Sequence, residues 1–275
     1  MKESSFPIVS IILPVFNEEK SVKQTIENIC DQSFQDFELV VINDGSTDKT
    51  QEIIELIKDV RIEGYTNTRN CGLTKTLNLG LDLAKGEFVV IANCGDVWSV
   101  HKLRKQVEEM RRDKDIVIVG TVGQYPKEKT ARASSNVDVA MYFGNPFIHS
   151  GIMIRKNKDL FYNEDFLVSQ DYELFQRLMG KGRMVVLGAC LIKLREQKPH
   201  SFENTIKVLK RFYPNESDRM IEIINMKTKP TVKEYIELVL VFLTKAIELR
   251  SFEFVKLAVF RLIVILKGLL KNEKS

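Results

Sequence analysis

What is missing narrows the possibilities for this chain first. Its four cysteines, Cys30, Cys71, Cys94 and Cys190, are scattered without CxxC spacing. Neither a disulfide frame nor a zinc site is expected from them, and they read as reduced thiols. The opening residues, Met1 to Pro7, are polar and lack the apolar stretch of a signal peptide, which gives the expectation of a cytoplasmic protein. No apolar run reaches the roughly 20 residues that a membrane-crossing helix needs. A large excess of one charge is also absent. The 41 Lys and Arg against 37 Asp and Glu leave a formal net charge of +4, which is no footprint of a nucleic-acid binder. Hydrophobic residues at 44% and charged residues at 28% exclude wholesale disorder. A chain of 275 residues can bury one large core, with or without an appendage.

What is present is an alternation of short β-branched runs and helical patterns. Val9 to Leu13, ending at Pro14, reads as a buried parallel strand. Glu18 to Cys30 carries Val22, Ile26 and Ile29 at helical spacing. A second strand ends at Asn43, and Ser46 or Thr47 is placed to cap a helix holding Ile53, Ile54 and Ile57. Val60 to Tyr65 reads as a third strand and Gly72 to Leu83 as a helix stopped by Lys85-Gly86. Phe88 to Ala92 is a fourth strand, followed by a surface helix of mixed charge over His101 to Arg112. The segment Gly123 to Asn136 is polar and turn-rich, as a loop is. Such an alternation implies right-handed crossovers and a mostly parallel sheet.

Three carboxylates stand out. Asp44 in NDGSTD and Asp96 in NCGD each follow a strand end, where open α/β sheets bind ligands. Asp171, in SQDYELFQRL, precedes a helical pattern. Two acids at strand ends with a third from a later segment suit a nucleotide-and-metal site with a separate general base. Each has a plainer reading: Asp44 as a turn residue capping the next helix, Asp96 as a cap for the His101 helix in competition with Ser99, and Asp171 as a helix cap.

In chain order, VSIILPVFNEE, FELVVINDGSTDKT, RNCGLTKTLNLGLDLAKGEFVVIANCGD, NPFIHSGIMIRK and SQDYELFQRL resemble the family 2 glycosyltransferases, inverting nucleotide-sugar enzymes of the GT-A fold. The resemblance spans about Val9 to Ser201. It implies a nucleotide-sugar pocket built from Pro14, Phe16, Asn17, Glu18, Asn43, Asp44, Arg69, Asn70, Asn93 and Gly95. It also implies that Asp96 holds a divalent metal, Mn2+ or Mg2+, on the diphosphate, and that Asp171 is the general base toward the acceptor hydroxyl. His149, Arg195 and His200 fall on the acceptor or diphosphate side. For Asn17 an Asx turn, and for His149 a satisfied edge histidine, are the competing structural roles. The chain departs from the family pattern at Asn43, Asn93, Gly95 and Gln170, where acids are common. Those departures bear on metal binding.

The last stretch, Thr231 to Lys271, changes character. Apolar runs such as Leu238 to Leu243 and Leu262 to Leu266 are cut by charges, and Lys256, Arg261, Lys267 and Lys271 read as the face of a basic amphipathic helix. That suits the cytoplasmic face of an anionic inner membrane. A helical hairpin packed on the catalytic domain, or on a second subunit in a homodimer, is the alternative. The sequence therefore predicts an α/β, GT-A-like domain over 1–202 and a helical region over 203–275. The expected activity is inverting transfer from a UDP-linked sugar to a glycan or lipid-linked glycan of bacterial surface-polysaccharide synthesis. A catalytically impaired nucleotide-sugar-binding protein is the alternative. A nucleotidyltransferase is disfavoured, because PVFNEE after strand one is not a Gly-rich basic phosphate loop.

Overall fold

The apolar runs that pattern as strands lie side by side in one sheet. The protein was analysed as a computed structural model that describes residues 6–125, 137, 141, 145–195, 208 and 211. The chain divides between His200 and Ser201, and the architecture below is that of the first unit. The strands are β1 (Val9–Val15), β2 (Phe37–Asn43), β3 (Ile62–Thr66), β4 (Phe88–Ile91), β5 (Val97–Trp98), β6 (Ile116–Gln124), β7 (Met153–Arg155) and β8 (Arg183–Lys193). The helices are α1 (Val22–Cys30), α2 (Thr50–Leu56), α3 (Leu73–Leu83), α4 (Lys102–Arg112) and α5 (Gln170–Leu178), with a 3-10 turn at His149–Gly151.

Sheet order is β3-β2-β1-β4-β7-β6-β8-β5. β1 pairs in parallel with both β2 and β4, and β2 with β3. β7 then runs antiparallel between β4 and β6. Order reverses at β1: β2 and β3 lie to one side and β4 to the other, which opens a crevice at the carboxyl ends of these strands. β1 and β2 are covered on both faces, so Val9, Ile11, Ile12, Leu13, Leu39 and Val40 are fully buried. That is why their sequences are continuous rather than alternating apolar runs.

Ser46 and Thr47 do not cap α2, which begins at Thr50 after Lys49. Asp48 takes that work instead, its Oδ1 accepting from the Thr50 N–H at 3.0 Å. The third strand starts at Ile62, and Val60 is exposed. α4 is a surface helix as expected, with His101, Arg104, Lys105 and Glu108 exposed and Lys102, Leu103, Gln106, Val107 and Met110 forming its buried face. Gly86 is not a left-handed helix stop. Its N–H donates to Ser10 Oγ at 2.7 Å, and a Cβ there would lie 2.6 Å from the Ser10 nitrogen, so close approach to β1 is what requires glycine. β6 and β8 are long strands that the periodicity reading did not assign.

Cys30, Cys71, Cys94 and Cys190 are free thiols. Burial pushes Cys94 up to about 12 and Cys30 up to about 11, far from thiolate reactivity. Among the described residues no helix is long and apolar enough to cross a membrane. Residues 126–136 of the polar segment, and the whole of Thr231 to Lys271, lie outside the described residues, so the loop and amphipathic-helix expectations concern regions not described here.

Candidate active site

The crevice is assembled by short loops leaving β1, β2 and β4. After β1, Asn17 takes a left-handed backbone, φ +54. Its N–H donates to Ser46 Oγ at 2.9 Å and its Oδ1 accepts from the Thr47 N–H at 2.8 Å. Asn17 thereby ties the β1 loop to the β2 loop. At the end of β2, Asn43 Nδ2 donates to Gln51 Oε1 at 2.8 Å and Oδ1 accepts from the Ser46 N–H at 2.9 Å. Both asparagines act as braces.

Asp44 does not cap α2. It is buried, and its Oδ1 accepts from Asn67 Nδ2 and the Cys71 N–H, each at 2.8 Å, while Oδ2 accepts from the Gly72 N–H at 2.9 Å. The carboxylate thus shapes the loop entering α3. The neighbouring Gly45 has φ +71, and a Cβ there would stand 2.6 Å from the Arg69 carbonyl carbon. Glycine after Asp44 is therefore a condition of that packing.

The loop that follows β4 carries Asn93-Cys94-Gly95-Asp96. Gly95 has φ +85, and its N–H donates to Thr25 Oγ1 at 3.0 Å. Asp96 is 3% exposed. Its Oδ2 accepts from Ser150 Oγ at 2.5 Å and its Oδ1 from the Arg195 N–H at 2.9 Å. Burial raises its pKa, opposed by those hydrogen bonds and by the charges of Arg195 and Lys102. It is not the cap of α4, whose N-cap is His101 with no side-chain capping bond. Arg195 Nη1 in turn donates to both oxygens of Glu18 at 2.7 Å.

Asp171 lies in the first turn of α5, after Ser169 with φ +60, and so is not the N-cap either. Its Oδ2 accepts from Asn145 Nδ2 at 2.7 Å, and Oδ1 has no partner among the described residues. His149, in the 3-10 turn, places Nε2 2.7 Å from the Tyr162 hydroxyl. Tyr162 is buried, and burial, with the Asp171 charge as a smaller cause, raises its phenol well above the usual range.

A cleft of about 630 Å³ joins these groups. Of the residues named from sequence, Pro14, Phe16, Glu18, Asp44, Asn70, Asn93, His149, Asp171 and Arg195 line it. Asn17, Asn43, Arg69, Gly95 and Asp96 are not in its wall, and His200 lies outside the described residues. Leu73, Thr76, Cys94 and Gln170 also line it, and Asn145 and Tyr162 position Asp171 and His149. Asn145 lies inside the NPFIHSGIMIRK segment, but nothing about one asparagine in it signals a partner 26 residues away.

The donors at the end of β4 do not fit a carboxylate-held cation. Asp96 is the single carboxylate of that loop and lies buried behind the cleft wall with each oxygen hydrogen-bonded, Glu18 is paired with Arg195, and Asn93 and Gly95 supply no carboxylate. Among the described residues no group of three or more His, Cys, Asp or Glu is arranged to hold a metal ion.

Residues 10–178 match the family described as Glycosyl transferase family 2. One relative is the UDP-Glc:alpha-D-GlcNAc-diphosphoundecaprenol beta-1,3-glucosyltransferase WfaP of Escherichia coli. It is 26% identical over 188 residues, covering 64% of this chain and 71% of WfaP. Among solved structures, S. aureus TarS 1-349 in complex with UDP-GlcNAc has a TM-score of 0.63 at 19% identity, covering 80% of this chain and 68% of that one. The mannosyltransferase PcManGT from Pyrobaculum calidifontis, in complex with GDP-Man and Mn2+, has a TM-score of 0.59 at 16% identity, over 98% of this chain and 88% of its own. These likenesses show the fold, a GT-A-like α/β sheet flanked by helices.

Proposed function

The chain belongs to glycosyl transferase family 2, and on that premise we propose that its cleft binds a UDP-linked sugar and that Asp171 activates an acceptor hydroxyl for inverting transfer. The observation that carries this reading is the state of Asp171. It shares the cleft with the loops that end β1, β2 and β4, one oxygen is fixed by Asn145, and the other has no partner among the described residues. In the reaction the acceptor proton passes to Asp171 Oδ1 while the acceptor oxygen bonds to the anomeric carbon. The bond from that carbon to the phosphate oxygen breaks on the opposite face, and its electron pair leaves with the nucleoside diphosphate.

The β1, β2 and α3 loops form the nucleotide side of the cleft in this reading. Asp44 holds that side in shape, and its oxygens keep lone pairs for the base or ribose. No step runs through a metal ion, because the donor set at the end of β4 does not fit one. UDP as the carrier, and a lipid-linked glycan as the acceptor, are supported by the donor and acceptor in the name of WfaP. The basic sequence after Thr231 supports action at the cytoplasmic face of the membrane.

The test is nucleotide release from a panel of UDP- and GDP-sugars with lipid-linked acceptors, repeated with Asp171→Asn. That substitution keeps size and hydrogen-bonding shape but cannot take the proton. Turnover should fall by about 10²–10⁴-fold, the worth of a positioned general base, with near-normal donor affinity. A variant that keeps most of its activity would place the base elsewhere. Asn43, Asn93, Gly95 and Gln170, standing where the family has acids, favour a second reading, a nucleotide-sugar-binding protein without turnover. A wild-type protein that binds donor but releases no nucleotide across the panel would establish it.

A further inference from the structure

A nucleoside diphosphate brings at least two negative charges into the cleft, and the end of β4 offers it no carboxylate-held cation. A cation of another kind stands there. The stem of Arg195 crosses the space into which a residue-95 side chain would project: a Cβ on Gly95 would sit 2.6 Å from Arg195 Cδ. Residue 95 must be glycine for Arg195 to lie as it does, and an aspartate there would compete with Arg195 for the same volume. The arginine is well fixed. Its N–H bonds to Asp96 Oδ1 at 2.9 Å, and Asp96 is itself held by Ser150. Its Nη1 is bound by Glu18, while Nε and Nη2 have no partner among the described residues, and the side chain is 48% exposed in the wall of the cleft.

A guanidinium is always charged and presents a planar fork of donors that matches phosphate oxygens. We propose that Arg195, seated over Gly95 and poised by Glu18, neutralises the donor diphosphate in this chain, so that donor binding needs no divalent cation. This rests on the nucleotide-sugar reading above. It gives Asp96 a positioning role: the buried carboxylate anchors the backbone of Arg195.

The experiment is calorimetric titration of the full chain with UDP, GDP and the corresponding nucleosides, in chelator and again in Mn2+. Wild-type dissociation constants for the diphosphate should agree within error in the two conditions. Arg195→Ala should weaken diphosphate binding by about tenfold or more, the worth of a hydrogen bond to a charged group, and leave nucleoside binding unchanged. Arg195→Lys, which keeps the charge but not the fork, should fall between. Both variants retain the backbone N–H that Asp96 holds. Tightening by about tenfold or more on adding Mn2+ would overturn the proposal and leave the donor reading standing. Equal losses for nucleoside and diphosphate in Arg195→Ala would also overturn it, showing a structural role only. No binding of any nucleotide in either condition would overturn both.

Discussion

Lys102 is fully buried at the start of α4, with Nζ 3.0 Å from Gln106 Oε1 and 3.9 Å from the centroid of the Trp98 ring. Burial lowers its pKa from the ordinary 10.5 to about 7, against the opposing charge of Asp96. The sign of the consequence follows from linkage. Between about pH 7 and 10 the unfolded chain keeps the lysine proton that the folded chain has released, so this group's contribution to stability rises with pH. Below that window both states are protonated and the full burial penalty is present. Lys102→Met, of similar length and without charge, removes the dependence. Denaturant unfolding at pH 7, 8 and 9 should show wild-type stability climbing relative to the variant by up to about 1.4 kcal/mol per pH unit. A flat difference would mean that Lys102 keeps its proton in the fold. At this scale the sequence is a partial guide. Asp171 and Asp44 could be nominated from their motifs and Arg195 from a less specific late segment, but their partners Asn145, Gly72 and Glu18 are set by three-dimensional proximity.

Between elements, the turn from α3 into β4 shows how a buried charge and a glycine combine. Glu38, the second residue of the otherwise apolar β2 run, is 6% exposed. It is satisfied by Ser10 Oγ at 2.5 Å, the Lys85 N–H at 2.7 Å and the Lys85 ammonium at 3.4 Å. Gly86 closes the same network through Ser10 Oγ. Gly86→Ala would drive a methyl into the β1 backbone, which cannot yield as a side-chain tip can. A loss of about 1–3 kcal/mol is expected, the range for overpacking, read as a lower denaturant midpoint. Gly188→Ala in β8 is the matched control. It meets nothing within 4 Å and has no left-handed φ, so it should stay within about 0.5 kcal/mol of wild type. Equal effects would show that close approach is not what Gly86 serves. The helix periodicity placed α1, α3 and α4 to within a few residues. It gave no account of β6 and β8, whose apolar runs carry no turn signal tying them to a particular neighbour.

For the whole molecule, the basic C-terminal sequence makes a prediction that stands apart from the cleft. If Lys256, Arg261, Lys267 and Lys271 form a membrane-facing set, the full chain should co-sediment with phosphatidylglycerol-containing vesicles at low salt and be released by added salt. Changing the four to glutamine should abolish co-sedimentation, since each basic residue near an anionic surface contributes about 1 kcal/mol, while nucleotide binding is unaffected. Undiminished vesicle binding by the variant would sink this reading and turn attention to packing against the domain or a second copy.

The family and the GT-A-like class were legible before any coordinate, because parallel strands buried on both faces require continuous apolar runs and strand-end loops carry short motifs. Asp44, Asn70, Asn93 and Asp171 could be nominated for the same reason. Tertiary structure decided which of the nominated groups meet in one cleft. Asn17 and Asn43 turn into loop braces, and Asp96 goes beneath the wall to hold Arg195, because side-chain direction depends on neighbours far away in the chain. Residues 95 and 195 are a hundred positions apart, and no local pattern could show that the absence of a side chain at one makes room for the charge of the other.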